Sequence, residues 1–283
     1  MKIKLLALSI FATLLFPLGL RALIIPQSAT LLSTSGAGIA NSYEVNPALL
    51  PSSNLFVSFS RNSWLGGVSG QKISMLSKNK TYISFETLSV TDIELRDEIA
   101  NDSPLGFFGA YWYALDLSRS KKIDIGLIKN LDLGYRLKMN FSKLYTETMN
   151  GYTIDVGFNK KINNTLSLAF VAKNVGKESS SNLRTKTIPT IGIGATYMVF
   201  NSQLKIIGDL LNQNNENFVK VACETNFPFG IDFIFGSTYS KDYKDFSMGI
   251  KLDLKGWSLI YGNLNHDNSI LGNPTSIEIK KYF

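Results

Sequence analysis

Residues 132–142 read DLGYRLKMNFS. Leu133, Tyr135, Leu137, Met139 and Phe141 fall on one side of an extended chain, and Asp132, Gly134, Arg136, Lys138, Asn140 and Ser142 on the other. A period of two is what a β-strand imposes, because successive side chains point to opposite faces. The strand itself is plain; the fold turns on which face meets water. In a soluble sandwich the apolar face is the core. In a membrane barrel the apolar face meets lipid and the polar face lines the inside.

Similar segments recur along the chain. In DFSMGIKLDL, 245–254, Phe246, Met248, Ile250, Leu252 and Leu254 oppose Ser247, Gly249, Lys251 and Asp253. In YTIDVGFN, 152–159, Tyr152, Ile154, Val156 and Phe158 oppose Thr153, Asp155, Gly157 and Asn159. Strands are expected at about 55–64, 68–77, 80–90, 106–118, 131–147, 152–162, 165–174, 189–199, 203–211, 217–226, 231–239, 246–254, 257–264 and 276–283. Short alternating segments at regular spacing favour an all-β architecture over βαβ units. Asn150-Gly151 reads as a two-residue hairpin, since both residues tolerate positive φ.

Connection lengths sort by side. If the first strand rises from the periplasm, the long loops at 91–105, 175–188 and 265–275 all fall outside. The short turns near 78–79, 163–164, 200–202, 227–230 and 255–256 fall within. That is the asymmetry of outer-membrane barrels. The stretch SRSKKIDIGLIKN, 118–130, is too long for the short-turn side; it reads as a turn, a strand extension or an extra strand pair. The expectation is an all-β transmembrane antiparallel barrel of about fourteen strands, with both barrel ends periplasmic.

The opening MKIKLLALSIFATLLFPLGLRA carries Lys2 and Lys4, an apolar stretch from Leu5 to Leu18 and then Leu-Arg-Ala. It reads as a signal peptide over 1–22. Residues 23–54 have no period of two and are broken by Pro47 and Pro51, so they form a separate N-terminal segment before a barrel over 55–283. The closing IEIKKYF ends an alternating strand on aromatic residues. Ile277, Ile279, Tyr282 and Phe283 are the expected signal for the outer-membrane barrel assembly machinery, with Lys281 standing where an apolar residue is usual.

Composition narrows the chemistry. Only 18% of the 283 residues are charged, and the net charge of +7 is spread along the chain, which argues against nucleic-acid binding. One cysteine allows no intrachain disulfide, and Cys223 shares a register with Val219, Val221 and Phe227, as an apolar surface residue would. No catalytic, cofactor or metal site is expected. SGAGIA lacks the lysine and third glycine of a phosphate loop. His266, beside Asp267 and Ser269, reads as a solvated loop histidine. The polar register holds Asp132, Arg136, Lys138, Asp155, Lys173, Lys205, Asp209, Lys251 and Asp253, whose expected role is pairing across a lumen.

Four stretches resemble the PorV/PorQ group of outer-membrane proteins, related in turn to the FadL-type transporters. They are GAGIANSYEVNPALLPSSNLFVSFSRNSWLGGVSG with its Asn46-Pro47-Ala48, GYTIDVGFNKKINNTLSLAFVAKNVG with an expected turn at Asn174-Val175-Gly176, IPTIGIGATYMV, and ILGNPTSIEIKKYF. The resemblance runs from about residue 36 to the C-terminus. It implies a fourteen-stranded barrel whose N-terminal segment folds into the lumen as a plug or hatch, with Gly36, Ala37, Gly38, Asn46, Pro47 and Ala48 as its motif residues. It implies a non-enzymatic outer-membrane protein that binds or passes a hydrophobic small molecule, which in the FadL family leaves sideways through the wall. The alternative is an interaction component of protein secretion of the type IX kind. The expected partners are outer-membrane lipid, the assembly machinery, and a hydrophobic ligand or secretion-system proteins.

Overall fold

A computed structural model describes residues 25–51, 55–97, 103–126, 128–180, 184–266 and 272–283. The expected signal peptide, 1–22, lies outside them.

The apolar half of each zigzag faces outward. Phe59 pairs with Ile279 on one side and Ile73 on the other, Ile73 with Phe85, Phe85 with Leu115, Leu115 with Met139, and Met139 with Tyr152. Every side chain in this row is exposed. One residue along, the row Ser58, Ser74, Ser84, Asp116, Lys138 and Thr153 is buried throughout. Greasy residues outside and charged ones inside would be unstable in water, where apolar surface is driven inward. In a bilayer this is the favourable order.

The strands are β1 Phe56–Ser63, β2 Ser69–Leu76, β3 Thr81–Leu95, β4 Gly106–Ile125, β5 Ile128–Leu144, β6 Glu147–Lys161 and β7 Leu166–Ser179. There follow β8 Arg184–Lys186, β9 Thr190–Val199, β10 Leu204–Gln213, β11 Glu216–Thr225, β12 Ile231–Tyr239, β13 Lys244–Leu254, β14 Trp257–His266 and β15 Thr275–Tyr282. All pairings are antiparallel, each barrel strand with its neighbours in sequence, and β1 closes on β15. Short β8 is a flap on β7 and β9 bypasses it, so the closed wall has fourteen strands. Closure leaves no unpaired edge within the wall.

A strand such as β12, nine residues long, rises ~30 Å. Tilted by about 40°, it spans about 23 Å along the axis, close to the roughly 25 Å apolar band of such barrels. Exposed aromatics mark both borders: Phe200, Phe229 and Trp257 at the end where β1 begins and β15 finishes, Phe107, Tyr145 and Tyr239 at the other. Lys281 lies over the Trp257 ring at 4.8 Å. A cation stacked on a border aromatic is at home where lipid gives way to water.

Three local expectations are corrected. Asn150-Gly151 sits inside β6, paired with Ser179 and Glu178 of β7, and the reversal comes earlier, at Tyr145, whose φ is +54°. Asn174-Val175-Gly176 is no turn. Asn174, at φ +56°, forms a bulge within β7 where the register against β6 shifts between Ile154 and Val156. The stretch 118–130 is a strand extension: β4 and β5 run on past their neighbours to Ile125 and Ile128.

Candidate functional site

Residues 25–51 lie inside the barrel and circle its lumen. Ser60 Oγ and Asn62 Nδ2 each donate to the Gln27 carbonyl at 2.9 Å, holding the start of the segment to β1. Helix α1, Ala29–Ser33, follows, capped by Ser28 Oγ, which accepts from the Leu31 amide at 3.2 Å. Thr30 Oγ1 donates to Glu278 of β15 at 3.0 Å. Ser247 Oγ of β13 donates to the Ser33 carbonyl at 2.7 Å, and Thr238 Oγ1 of β12 to the Ser35 carbonyl at 2.9 Å. A helix of five residues has no stability of its own in water. Here the wall holds it.

The expected motif residues occupy two anchor points. Gly36 adopts φ +72°, a left-handed conformation that only glycine takes without strain. Beyond buried Ala37, the amides of Gly38 and Ile39 donate to Asp209 Oδ2 of β10 at 2.6 and 3.0 Å. Asn46 Nδ2 donates to the carbonyls of Ile39 at 2.9 Å and Phe158 at 3.2 Å. Its Oδ1 accepts from the Ala48 amide at 3.0 Å, capping the 3-10 turn Pro47–Leu49.

That turn touches the wall where the wall has no side chains. A Cβ on Gly134 of β5 would collide with the Pro47–Ala48 peptide, and one on Gly157 of β6 with the Asn46 amide oxygen. Across the lumen, a Cβ on Gly236 or Gly249 would strike Thr34 or Ser33. Glycine inside a strand gives up side-chain packing and admits close backbone approach. These glycines let the segment dock. They stand in the polar register of the sequence, and a glycine recurring there is the signal that points to them.

Between segment and wall lies a buried charge network. Arg136 donates to the Glu44 and Tyr43 carbonyls, both at 2.7 Å, and lies 3.5 Å from Asp155. Asp155 also accepts from the bulged Asn174 amide at 2.7 Å, so one carboxylate serves both the arginine and the bulge. Lys72 bridges Glu44 at 3.2 Å and Glu86 at 3.0 Å; Lys138 lies 3.7 Å from both Glu86 and Asp116. A cavity of about 90 Å³ remains beside them. Glu44, Lys72, Glu86 and Asp116 were not singled out from sequence. The three wall residues among them follow the alternation that exposes Arg136. Glu44 lies in the aperiodic segment, where nothing in the pattern marks it. Burial pushes the Tyr43 phenol well above its ordinary range.

The other expected luminal residues pair mostly along the opposite wall. Lys205 meets Glu224 at 2.9 Å, Lys251 meets Asp232 at 3.3 Å and Asp253 at 2.7 Å, and Asp132 accepts from Asn159 at 3.2 Å. Lys173 has no ion pair among the described residues and lines the cavity. The side chain of His266, with Asp267 and Ser269, lies outside the described residues. Cys223 is partly exposed on the outward register.

Apolar side chains enter the lumen in several clusters, one of them built on Leu88. Leu88, Trp112 and Ala114 point inward at the end away from the start of β1 and pack with Ile25, Trp64 and Val68. At the end where β1 begins, Tyr282 also points inward, against Phe56 at 6.1 Å between ring centroids. Ile277 and Ile279 face outward, and the Phe283 amide donates to the Leu55 carbonyl at 3.0 Å.

No protein-family model and no curated protein matches the sequence. Solved structures do match in shape. The toluene transporter TodX of P. putida gives a TM-score of 0.61 at 8% identity, over 90% of this chain and 98% of that one. The monoaromatic hydrocarbon channel CymD gives 0.60 at 10% identity, over 90% and 97%. At such identities the likeness is one of fold.

Proposed function

We propose that this chain is a non-enzymatic barrel of the bacterial outer membrane that captures a hydrophobic small molecule, with residues 23–54 as its hatch. The inward apolar patch carries the reading. Leu88, Trp112 and Ala114 place large apolar surface inside the barrel, where it gains nothing from lipid. A large inward aromatic side chain is a contact surface that an uncharged, apolar guest needs. The shared fold with hydrocarbon channels supports a guest of monoaromatic size.

Just below the patch, the Lys72, Glu86, Asp116 and Lys138 layer would reject such a guest, because apolar groups do not displace paired charges. Passage therefore requires residues 25–51 to shift. Asn46, Pro47 and Ala48, with Gly36, Ala37 and Gly38, act as the hatch fastenings. On the four sequence stretches given above we place the chain with the PorV/PorQ group. Ile277, Ile279, Tyr282 and Phe283 serve as the assembly signal, and both termini of the barrel wall face the periplasm.

The test is uptake by proteoliposomes of radiolabelled toluene against a sugar of similar size. Faster toluene uptake than in empty vesicles, lost in Trp112→Glu, is the expected result. Faster sugar uptake with no toluene uptake would overturn the proposal.

A further inference from the structure

The β4–β5 hairpin stands clear of the wall. The β3–β4 ladder ends at the Thr81–Arg119 pair, and the β5–β6 ladder at Asp132–Asn159. Ser120–Ile125 therefore has β5 on one side and no strand on the other. Six residues reach ~20 Å, at the barrel end where β1 begins and β15 finishes. A strand side of this kind presents a row of unused N–H and C=O groups.

The surrounding charge is predominantly positive. The hairpin carries Lys121, Lys122 and Lys129; beside it stand Lys160 and Lys161 at the end of β6 and Lys78 and Lys80 in the β2–β3 turn. Against these seven lysines stand Asp124 and Asp132, and both already accept hydrogen bonds, from the Asn130 amide and the Asn159 side chain. Among the described residues none of the seven lysines lies within ion-pair distance of a carboxylate. A hollow of about 210 Å³ opens between Lys122, Lys161 and the Leu49–Pro51 stretch of the luminal segment.

We propose that the projecting hairpin takes an acidic, extended segment of another protein as an added strand along Ser120–Ile125. The free backbone row supplies the ladder, and the lysines select the partner. Strand addition gains affinity from main-chain hydrogen bonds and specificity from alternate side chains. Here Lys121, Ile123 and Ile125 alternate on one face with Lys122 and Asp124 on the other. A second copy of this chain fits poorly, because its hairpin carries the same excess of lysines, and like-charged surfaces brought together repel. Lipid headgroups would satisfy the lysines but leave the backbone row unused. Strand addition here requires nothing of the lumen, so it stands or falls apart from solute capture.

The test uses the full barrel in zwitterionic nanodiscs and a labelled, end-blocked nine-residue peptide of alternating Glu and Val. Binding read by fluorescence anisotropy is expected to weaken with salt. It is expected to drop at least tenfold for K121E/K122E and for the fully N-methylated peptide, with none for a Lys/Val peptide. Heat-modifiable migration checks that the variant is folded, and K121Q/K122Q replaces it otherwise. Equal binding of the N-methylated peptide, indifference to K121E/K122E, or no binding of the acidic peptide overturns the proposal. So does displacement of the peptide by short-chain phosphatidylglycerol without regard to N-methylation, which marks a lipid site. A dimer dissociated by I123P, marking self-association, overturns it too.

Discussion

Asp209 of β10 accepts the amides of Gly38 and Ile39 on one carboxylate oxygen, at 2.6 and 3.0 Å, and so ties the luminal segment to the wall. Charge-assisted bonds to buried backbone donors are among the stronger polar contacts in proteins. Asp209→Ala leaves both amides without their acceptor, at a cost of about 2 to 3 kcal/mol to docking of the segment. The expected outcome is an intact barrel with higher single-channel conductance in planar bilayers. Unchanged conductance would show that this tie does not hold the segment.

The wall glycines make a steric prediction. Gly134→Ala and Gly157→Ala each put a methyl group where the Asn46–Ala48 turn lies. The segment must yield, since the wall is held by continuous ladders on both sides. Limited proteolysis is expected to cleave within 25–51 in both variants while heat-modifiable migration of the barrel persists. Gly208→Ala is the control: a Cβ there meets nothing within 4 Å, and the segment stays protected.

Arg136 is predicted to be irreplaceable by lysine. It reaches two carbonyls, Ser118 and Asp155 at once through a planar fork. Lysine offers one point charge on a flexible stem. Removing one member of a buried ion pair costs about 3 to 5 kcal/mol, because the partner charge remains buried. Both Arg136→Ala and Arg136→Lys are expected to lower the folded fraction in urea titrations of the lipid-refolded protein. Full recovery in Arg136→Lys would show that charge alone suffices.

Much of this arrangement can be read from the zigzag. Tyr135, Leu137 and Met139 announce a strand and Arg136 and Lys138 its other face, so strand number and the lipid-facing register follow directly. What the pattern does not carry is pairing. Asn150-Gly151 has the chemistry of a hairpin, yet Gly151 pairs with Glu178 because the inward register of β6 continues through it. Asn174 likewise takes its positive φ for a bulge that places its amide on Asp155, a contact set by the neighbouring strand. The luminal segment is harder still. Its fastenings join Gly38 to Asp209 and Glu44 to Lys72, partners far apart in sequence with no shared period. The glycines that admit it recur in the polar register and mark where something can approach, but not which part of the segment does.

The apolar belt makes the last mutational prediction. Met139 sits mid-strand in the outward row and is 60% exposed. Met139→Arg is expected to cost about 2 to 4 kcal/mol in bilayer stability, as for a cation near the midplane on the lipid face of a barrel. Phe200→Arg, at the border, is expected to cost about 1 kcal/mol or less. Equal costs would mean that Met139 does not lie in hydrocarbon.

The orientation of the wall is measured most directly by a nitroxide scan of residues 137–142 in bilayers, one cysteine at a time on a Cys223→Ala background. Collision with oxygen, which partitions into lipid, is expected to peak at 137, 139 and 141 and to fall at 138, 140 and 142. Peaks at 138, 140 and 142, or free access of a water-soluble nickel chelate to 137, 139 and 141, would contradict a lipid-facing apolar register.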